Sequence, residues 1–277
     1  MTTDRTNIVS SYTIVKGSMI DETYEVLAGW DFSRSKKENL DRLRSGNSIE
    51  GKSGSWLRDV AKVLNRRFDP AGRDRALVAL AKSGCGLEEW KPLLLWHMTL
   101  DEFLLKDFLV HWLFPVCYDS SAYYVRHEDL HTYFLNIGKR GGTTEHAWTS
   151  VTLHRVASGL LRMAADFGLL KGTVVKEFAT YHLPERSFIY LLHVFLDEYK
   201  SPRKVINALD WRMFLLLPSD VERELLRLHQ LRKLEYEVIG SVARLCLPCK
   251  SAEEYAESMP QTVRPDVVNS PVFRFLS

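Results

Sequence analysis

The stretch Ala147–Phe178, AWTSVTLHRVASGLLRMAADFGLLKGTVVKEF, decides how the rest of this 277-residue chain is read. From about Glu145 to Asp166, Trp148, Val151, Val156, Leu160, Leu161 and Met163 recur at helical spacing, which predicts an amphipathic helix. Phe167-Gly168-Leu169-Leu170 ends it, with Gly168 suited to the left-handed position that closes a helix. The segments Thr173–Phe178 and Thr180–Leu183 have the β-branched and aromatic composition of short strands. A helical pattern over Glu128–Leu135 closes the region before it, and helix, helix, then a small strand pair is read as the order of a winged helix-turn-helix.

The order recurs toward the C-terminus. Pro184 opens a helix over Ser187–Tyr199, and Ser201-Pro202 opens another through Ala208 with proline at its first position. Pro218-Ser219-Asp220 leads a helix from Val221 to about Lys233, after which Leu234–Ile239 and Ser241–Leu247 flank Gly240 as two strands about a turn. Ser251 and Glu254 form a capping box for a short last helix, and the tail after Pro260 reads as loosely structured. Working the other way, Ser18–Trp30, Lys36–Leu43, Ser55–Phe68, Arg73–Ser83, Leu87–Leu95 and Asp101–Leu113 all carry helical patterns. Gly138–Thr144, GKRGGTT, reads as a linker. The expected fold is mainly α with small β-hairpins: an N-terminal helical bundle (1–137) followed by winged helix-turn-helix-like modules (138–277).

Composition narrows the classes of function. Lys and Arg number 37 against 35 Asp and Glu, and 45% of residues are hydrophobic, which excludes a disordered chain and gives no global charge for nucleic acid. Four cysteines, Cys85, Cys117, Cys246 and Cys249, are too few for a disulfide scaffold, and the polar N-terminus lacks the apolar stretch of a signal peptide. The most apolar run, Leu93–Val116, is interrupted by Asp101, Glu102, Lys106 and Asp107, so it reads as core helix ending at Pro115, not as a membrane span. A cytoplasmic protein with reduced thiols is expected.

Three motifs invite chemistry and fail on context. Gly46–Ser53, GNSIEGKS, matches a phosphate loop, but the segment before it is charged and helical where a buried strand is required, and Glu50 would repel phosphate. Cys246-Leu247-Pro248-Cys249 lacks two further nearby ligands for zinc and the helix N-terminus of a redox pair. His127 and His131 are spaced as a metal half-site without a third ligand, so a solvated helix face is favoured. No catalytic residue, metal, cofactor or small-molecule substrate is expected, and nothing argues for an enzyme.

Charge distribution remains. From Lys36 to Lys82 there are twelve cations and six acids, a surplus of six that the acidic stretch Ser83–Leu135 offsets. A basic segment of this kind binds phosphates without reading sequence. On the helix Ser55–Phe68, Lys62, Arg66 and Arg67 are assigned to a basic face opposite the apolar one. Around the winged module, Lys139, Arg140, Arg155 and Lys171 are assigned to DNA, with His154, Arg162 and Lys176 nearby and Thr149, Ser150 and Thr152 at the helix start.

The segments SSYTIVKGSMIDETYEVL, SGSWLRDVAKVLNRRF and AWTSVTLHRVASGLLRMAADFGLLKG resemble the BrxA family of BREX phage-defence systems, with similarity from about Ser11 to Met259. Its best marker is Trp148, the Ser/Thr-rich helix start, Arg155, then Phe167-Gly168-Leu169-Leu170. The resemblance implies a non-enzymatic DNA-binding component, its N-terminal part like antitermination factors and its C-terminal part winged, acting beside methyltransferase, ATPase and phosphatase-like partners. The expected function is an accessory protein that binds double-stranded DNA backbone with little sequence preference. The alternative is an adaptor that assembles the defence complex through protein contacts alone.

Overall fold

The computed structural model describes residues 7–44, 53–119, 123–143, 147–240 and 242–259. Its first half is a succession of short helices: α1 (Ser11–Lys16), α2 (Ile20–Ala28), α3 (Lys36–Arg44), α4 (Gly54–Arg67), α5 (Arg75–Lys82), α6 (Leu87–Thr99), α7 (Phe103–Phe108) and α8 (Phe114–Asp119). Helix α4 shows how sequence builds them. Ser53 caps it by accepting from the Trp56 amide, and Leu57, Val60, Ala61, Val63 and Leu64 are buried at spacings of three and four. Helix α6 is buried along almost its whole second half, from Trp90 through Pro92–Thr99, and is a central strut of the core. Among the described residues no helix is long and apolar enough to cross a membrane.

Pro115 does not stop the helix as its sequence suggests. The backbone widens into a π-turn over Leu109–Leu113, with the Phe114 amide donating to the Leu109 carbonyl, and α8 then carries Pro115 in its second position. A proline in a regular helix clashes with the carbonyl four residues back and wastes an acceptor. Here the wider turn comes immediately before it, and the amide that closes that turn belongs to Phe114 and not to Pro115.

The second half contains β1 (Tyr124–Val125), α9 (His131–Leu135), α10 (Ser150–Asp166), β2 (Leu170–Lys171), β3 (Lys176–Phe178), α11 (Glu185–Tyr199), α12 (Pro202–Ile206), α13 (Pro218–Gln230), β4 (Glu235–Ile239), β5 (Val242–Cys246) and α14 (Ala252–Ser258). Three-residue-per-turn segments lie at His127–Leu130, Gly138–Arg140 and Leu209–Phe214. Strands β1, β3 and β2 form an antiparallel sheet in that order, with Val125 opposite Lys176 and Leu170 opposite Phe178. Strands β4 and β5 form a separate hairpin, in register from Glu235 opposite Cys246 to Ile239 opposite Val242. The architecture is mainly helical with small antiparallel hairpins, as the sequence implies.

The first hairpin is displaced from its expected position. Gly172 has φ 94°, and a Cβ there would lie 2.5 Å from the Val175 carbonyl oxygen, so the chain turns tightly at this point. Thr173, Val174 and Val175 therefore form the turn, and Thr180–Leu183 pairs with no strand in the described residues. Packing also crosses the boundary set at 137/138. Strand β1 pairs with β3, the Val9 amide donates to the Thr143 carbonyl, α5 packs on α14 and α6 on α11, and one buried cluster extends from Val9 to Met259. The glycine segment is fastened as well: its Arg140 forks onto the buried Asp107 carboxylate. The phosphate-loop match at Gly46–Lys52 lies outside the described residues, and Ser53 serves as the α4 cap.

Candidate nucleic-acid interface

Seven cations were assigned to DNA from sequence, and the fold separates them. Lys62 and Arg66 stand exposed on α4 and make no ion pair with a described residue. Arg67 is a correction. It lies three residues after Leu64 and seven after Val60, which places it on the apolar face, and its exposure is 0%. Its guanidinium donates from Nε to Glu102 Oε1 at 3.0 Å, from Nη1 to the Gly17 carbonyl at 2.9 Å and from Nη2 to the Thr13 carbonyl at 2.9 Å. Thr13 Oγ1 donates to the other Glu102 oxygen at 2.9 Å. Arg67 thus pins α1 to α4 and to the corner before α7, and no phosphate reaches it.

Arg140 is committed too. Its Nε and Nη2 reach Asp107 at 2.9 Å each, and its plane lies over the Tyr133 ring at 4.9 Å. The bond to Asp107 pushes the Arg140 guanidinium pKa up, while burial, followed by the Asp107 charge, pushes the Tyr133 phenol well up. Lys139 beside it is exposed without an ion pair among the described residues. Lys171 on β2 bridges Glu177 across the strand pair at 3.3 Å, but both side chains are exposed, so water screens the pair and a phosphate can displace it.

Helix α10 gathers the remaining cations. Thr149 caps it, accepting from the Thr152 amide at 3.2 Å, and Arg155 stands exposed in its second turn without an ion pair among the described residues. Between α10, the turn His127–Leu130 and the β2–β3 turn lies a cleft of about 660 Å³. His127, His154, Arg155, Arg162, Thr173 and Lys176 line it, and no carboxylate among the described residues does. The rings of His127 and His154 lie 4.1 Å apart, tilted by 39°. His127 therefore faces α10 and the β2–β3 turn, where the sequence favoured a solvated helix face for His127 and His131.

Helix α1 joins the two basic regions. It packs along α10 and touches α4, with Lys16 Nζ 2.5 Å from Asp59 Oδ2 and Arg162 Nη2 donating to the Val15 carbonyl at 2.9 Å. The bond from Lys16, reinforced by Tyr12, pulls the Asp59 carboxyl pKa down, so this acid between Lys62 and α1 is held ionised and satisfied. The cations on these three helices are Lys62 and Arg66 on α4, Lys16 on α1, and Arg162 and Arg155 on α10; Asp59 pairs with Lys16, and Asp21, Glu22 and Asp166 line the cleft that Lys16 and Arg162 share. Neighbouring cations of the +6 segment are structural. Lys36 donates to the Asn65 carbonyl at 2.7 Å at the end of α4, Arg73 bridges Asp74 and Asp101, and Lys82 donates to the Trp30 carbonyl.

These residues define a helical protein with a basic, carboxylate-free cleft against a three-stranded sheet. Among the described residues, no group of three His, Cys, Asp or Glu side chains is placed to hold a metal. A family model described as BrxA matches residues 11–194, well over half of the sequence and including the whole cleft, so the chain belongs to the BrxA family. It is accordingly a component of a BREX phage-defence system. No curated protein and no solved structure matches it.

Proposed function

We propose that this protein is a non-enzymatic accessory component of its defence system that binds double-stranded DNA through the backbone, in the cytoplasm and beside other BREX components. The observation that carries the reading is the basic surface across α4, α1 and α10, which leads into a cleft with no acid on its walls. Lys62, Arg66 and Arg155, which make no ion pair with a described residue, are free to replace the counterions of successive phosphates, while Lys16 between them is held by Asp59.

The order of elements supports the same reading. A strand, two helices and a hairpin, with the first strand pairing to the last, is an order compatible with a winged helix, in which α10 would enter the major groove and the β2–β3 turn would act as the wing. Helices α12 and α13 with the β4–β5 hairpin repeat the theme less completely. The proposed contacts are Lys62, Arg66, Lys139, Arg155 and Lys171. Arg67 and Arg140 leave the set because their guanidiniums are held by Glu102 and Asp107.

One observation favours the adaptor reading for a different region. Val238, Ile239 and Val242 expose apolar side chains around the tip of the second hairpin, remote in sequence from the basic surface. The two readings separate in a binding experiment. Fluorescence anisotropy at low salt should detect binding to two duplexes of unrelated sequence, and the Lys62→Glu/Arg66→Glu double variant should bind about tenfold or more weakly while melting as the wild type does. Equal binding by the double variant, or no binding by the wild type, would leave the adaptor.

A further inference from the structure

We infer that the cleft between α10, the His127–Leu130 turn and the β2–β3 turn is a preformed site for one phosphate group. The inference rests on the DNA reading for where that phosphate comes from, and on the cleft alone for its chemistry.

Lys176 is the starting point. It lies on β3 opposite Val125, only 8% exposed, and its ammonium donates to the Gly172 carbonyl at 2.6 Å. A carbonyl satisfies one of its three donors and supplies no countercharge. A lysine residue buried to this extent is ordinarily paired with a carboxylate. Here the nearest acid on the sheet, Glu177, is turned to Lys171 at 3.3 Å. The Lys176 charge therefore faces a space with no protein anion among the described residues.

The rest of the wall has the same character. Arg162 is held by the Val15 carbonyl, which fixes its guanidinium without neutralising it, and Arg155 has no ion pair among the described residues. His127 and His154 add two imidazoles in contact, and Thr173 adds a hydroxyl from the turn. Glu128 reaches His127 Nε2 at 3.2 Å but is itself solvent-exposed and does not line the cleft. Two other clefts show that this one-signed lining is not general. The one at Lys16, Lys91 and Arg162 also contains Asp21, Glu22 and Asp166, and the one at Arg73, Arg75 and Lys200 contains Asp197, Glu198 and Glu253.

Two held cations, a third exposed one, a hydroxyl and two imidazoles lining one cleft without an acid suit a compact, multiply charged oxyanion that accepts several hydrogen bonds, namely phosphate. A volume of about 660 Å³ leaves room for the nucleoside attached to it. The phosphate is therefore either a backbone phosphate of duplex DNA or the phosphate of a free nucleotide.

Two probes on the full chain test this: inorganic phosphate by isothermal titration, and a 20-base-pair duplex by anisotropy with phosphate or chloride at matched ionic strength. Wild-type protein should bind inorganic phosphate, and phosphate should displace the duplex more strongly than chloride does. Lys176→Met keeps the aliphatic stem and should weaken both by about tenfold, the loss of one charge-assisted bond. Arg155→Gln, an exposed position, should weaken phosphate binding similarly and serves if Lys176→Met fails to fold. Phosphate binding that both variants weaken, without any duplex binding, would uphold the site with a free nucleotide as its source and sink the DNA reading. Duplex binding with no phosphate binding, or phosphate binding unchanged in Arg155→Gln or in folded Lys176→Met, would overturn the site while leaving the DNA reading standing.

Discussion

Arg66 and Arg67 are neighbours with identical side chains and opposite roles. A step of one residue turns a helix by about 100°, enough to move a guanidinium from water onto the apolar stripe. The stripe was visible in the sequence, and extending it from Val60 and Leu64 by regular spacing reaches residue 67. Residue type outweighed position, because arginine is rarely buried without a partner and Glu102, its partner, lies 35 residues away. Arg67→Met should therefore lower stability by about 3–5 kcal/mol in urea denaturation, because Glu102 is left as a buried unpaired charge. Adding Glu102→Gln should recover part of the loss. A single variant as stable as the wild type would show that this network does not hold α1 in place.

Elements were legible where their pairing is local. The β4–β5 hairpin lies within one residue of its expected limits, because alternating apolar residues flank Gly240 at the turn. The first sheet was not, because its strands are only two or three residues long and β1 comes from some fifty residues earlier in the chain than β3. Composition within a short window cannot report such a partner. The contact of α1 with α10 was equally hidden. It depends on Gly159, where an added Cβ would lie 2.8 Å from the Ile14 carbonyl oxygen, a backbone atom that cannot swing aside. Gly159→Ala should push the helices apart at a cost of about 1–3 kcal/mol, with faster amide hydrogen exchange over Ser11–Lys16 than elsewhere. Unchanged exchange in α1 would mean that the close approach is not structural.

Across the whole molecule, a balance of 37 cations against 35 acids conceals a separation by burial as well as by position. Arg67, Arg73 and Arg140 spend their charge on Glu102, Asp74, Asp101 and Asp107 inside the fold, where charge counted along the sequence cannot distinguish them from surface residues. The cations left to solvent, from Lys62 and Arg66 to Arg155, are fewer than the +6 segment promised but lie on helices that α1 connects. The candidate site was legible as a list of residue types around Arg155 and Lys176, and the cleft itself was not, because it is closed by His127 from before α9 and by a turn whose location the sequence misplaced. The most direct test is the salt dependence of duplex binding by the intact wild-type chain. The five proposed contacts predict a slope of log affinity against log salt of about −4 to −5, the same for unrelated sequences. A slope near zero, or binding confined to one sequence, would contradict a protein that holds DNA by its phosphates.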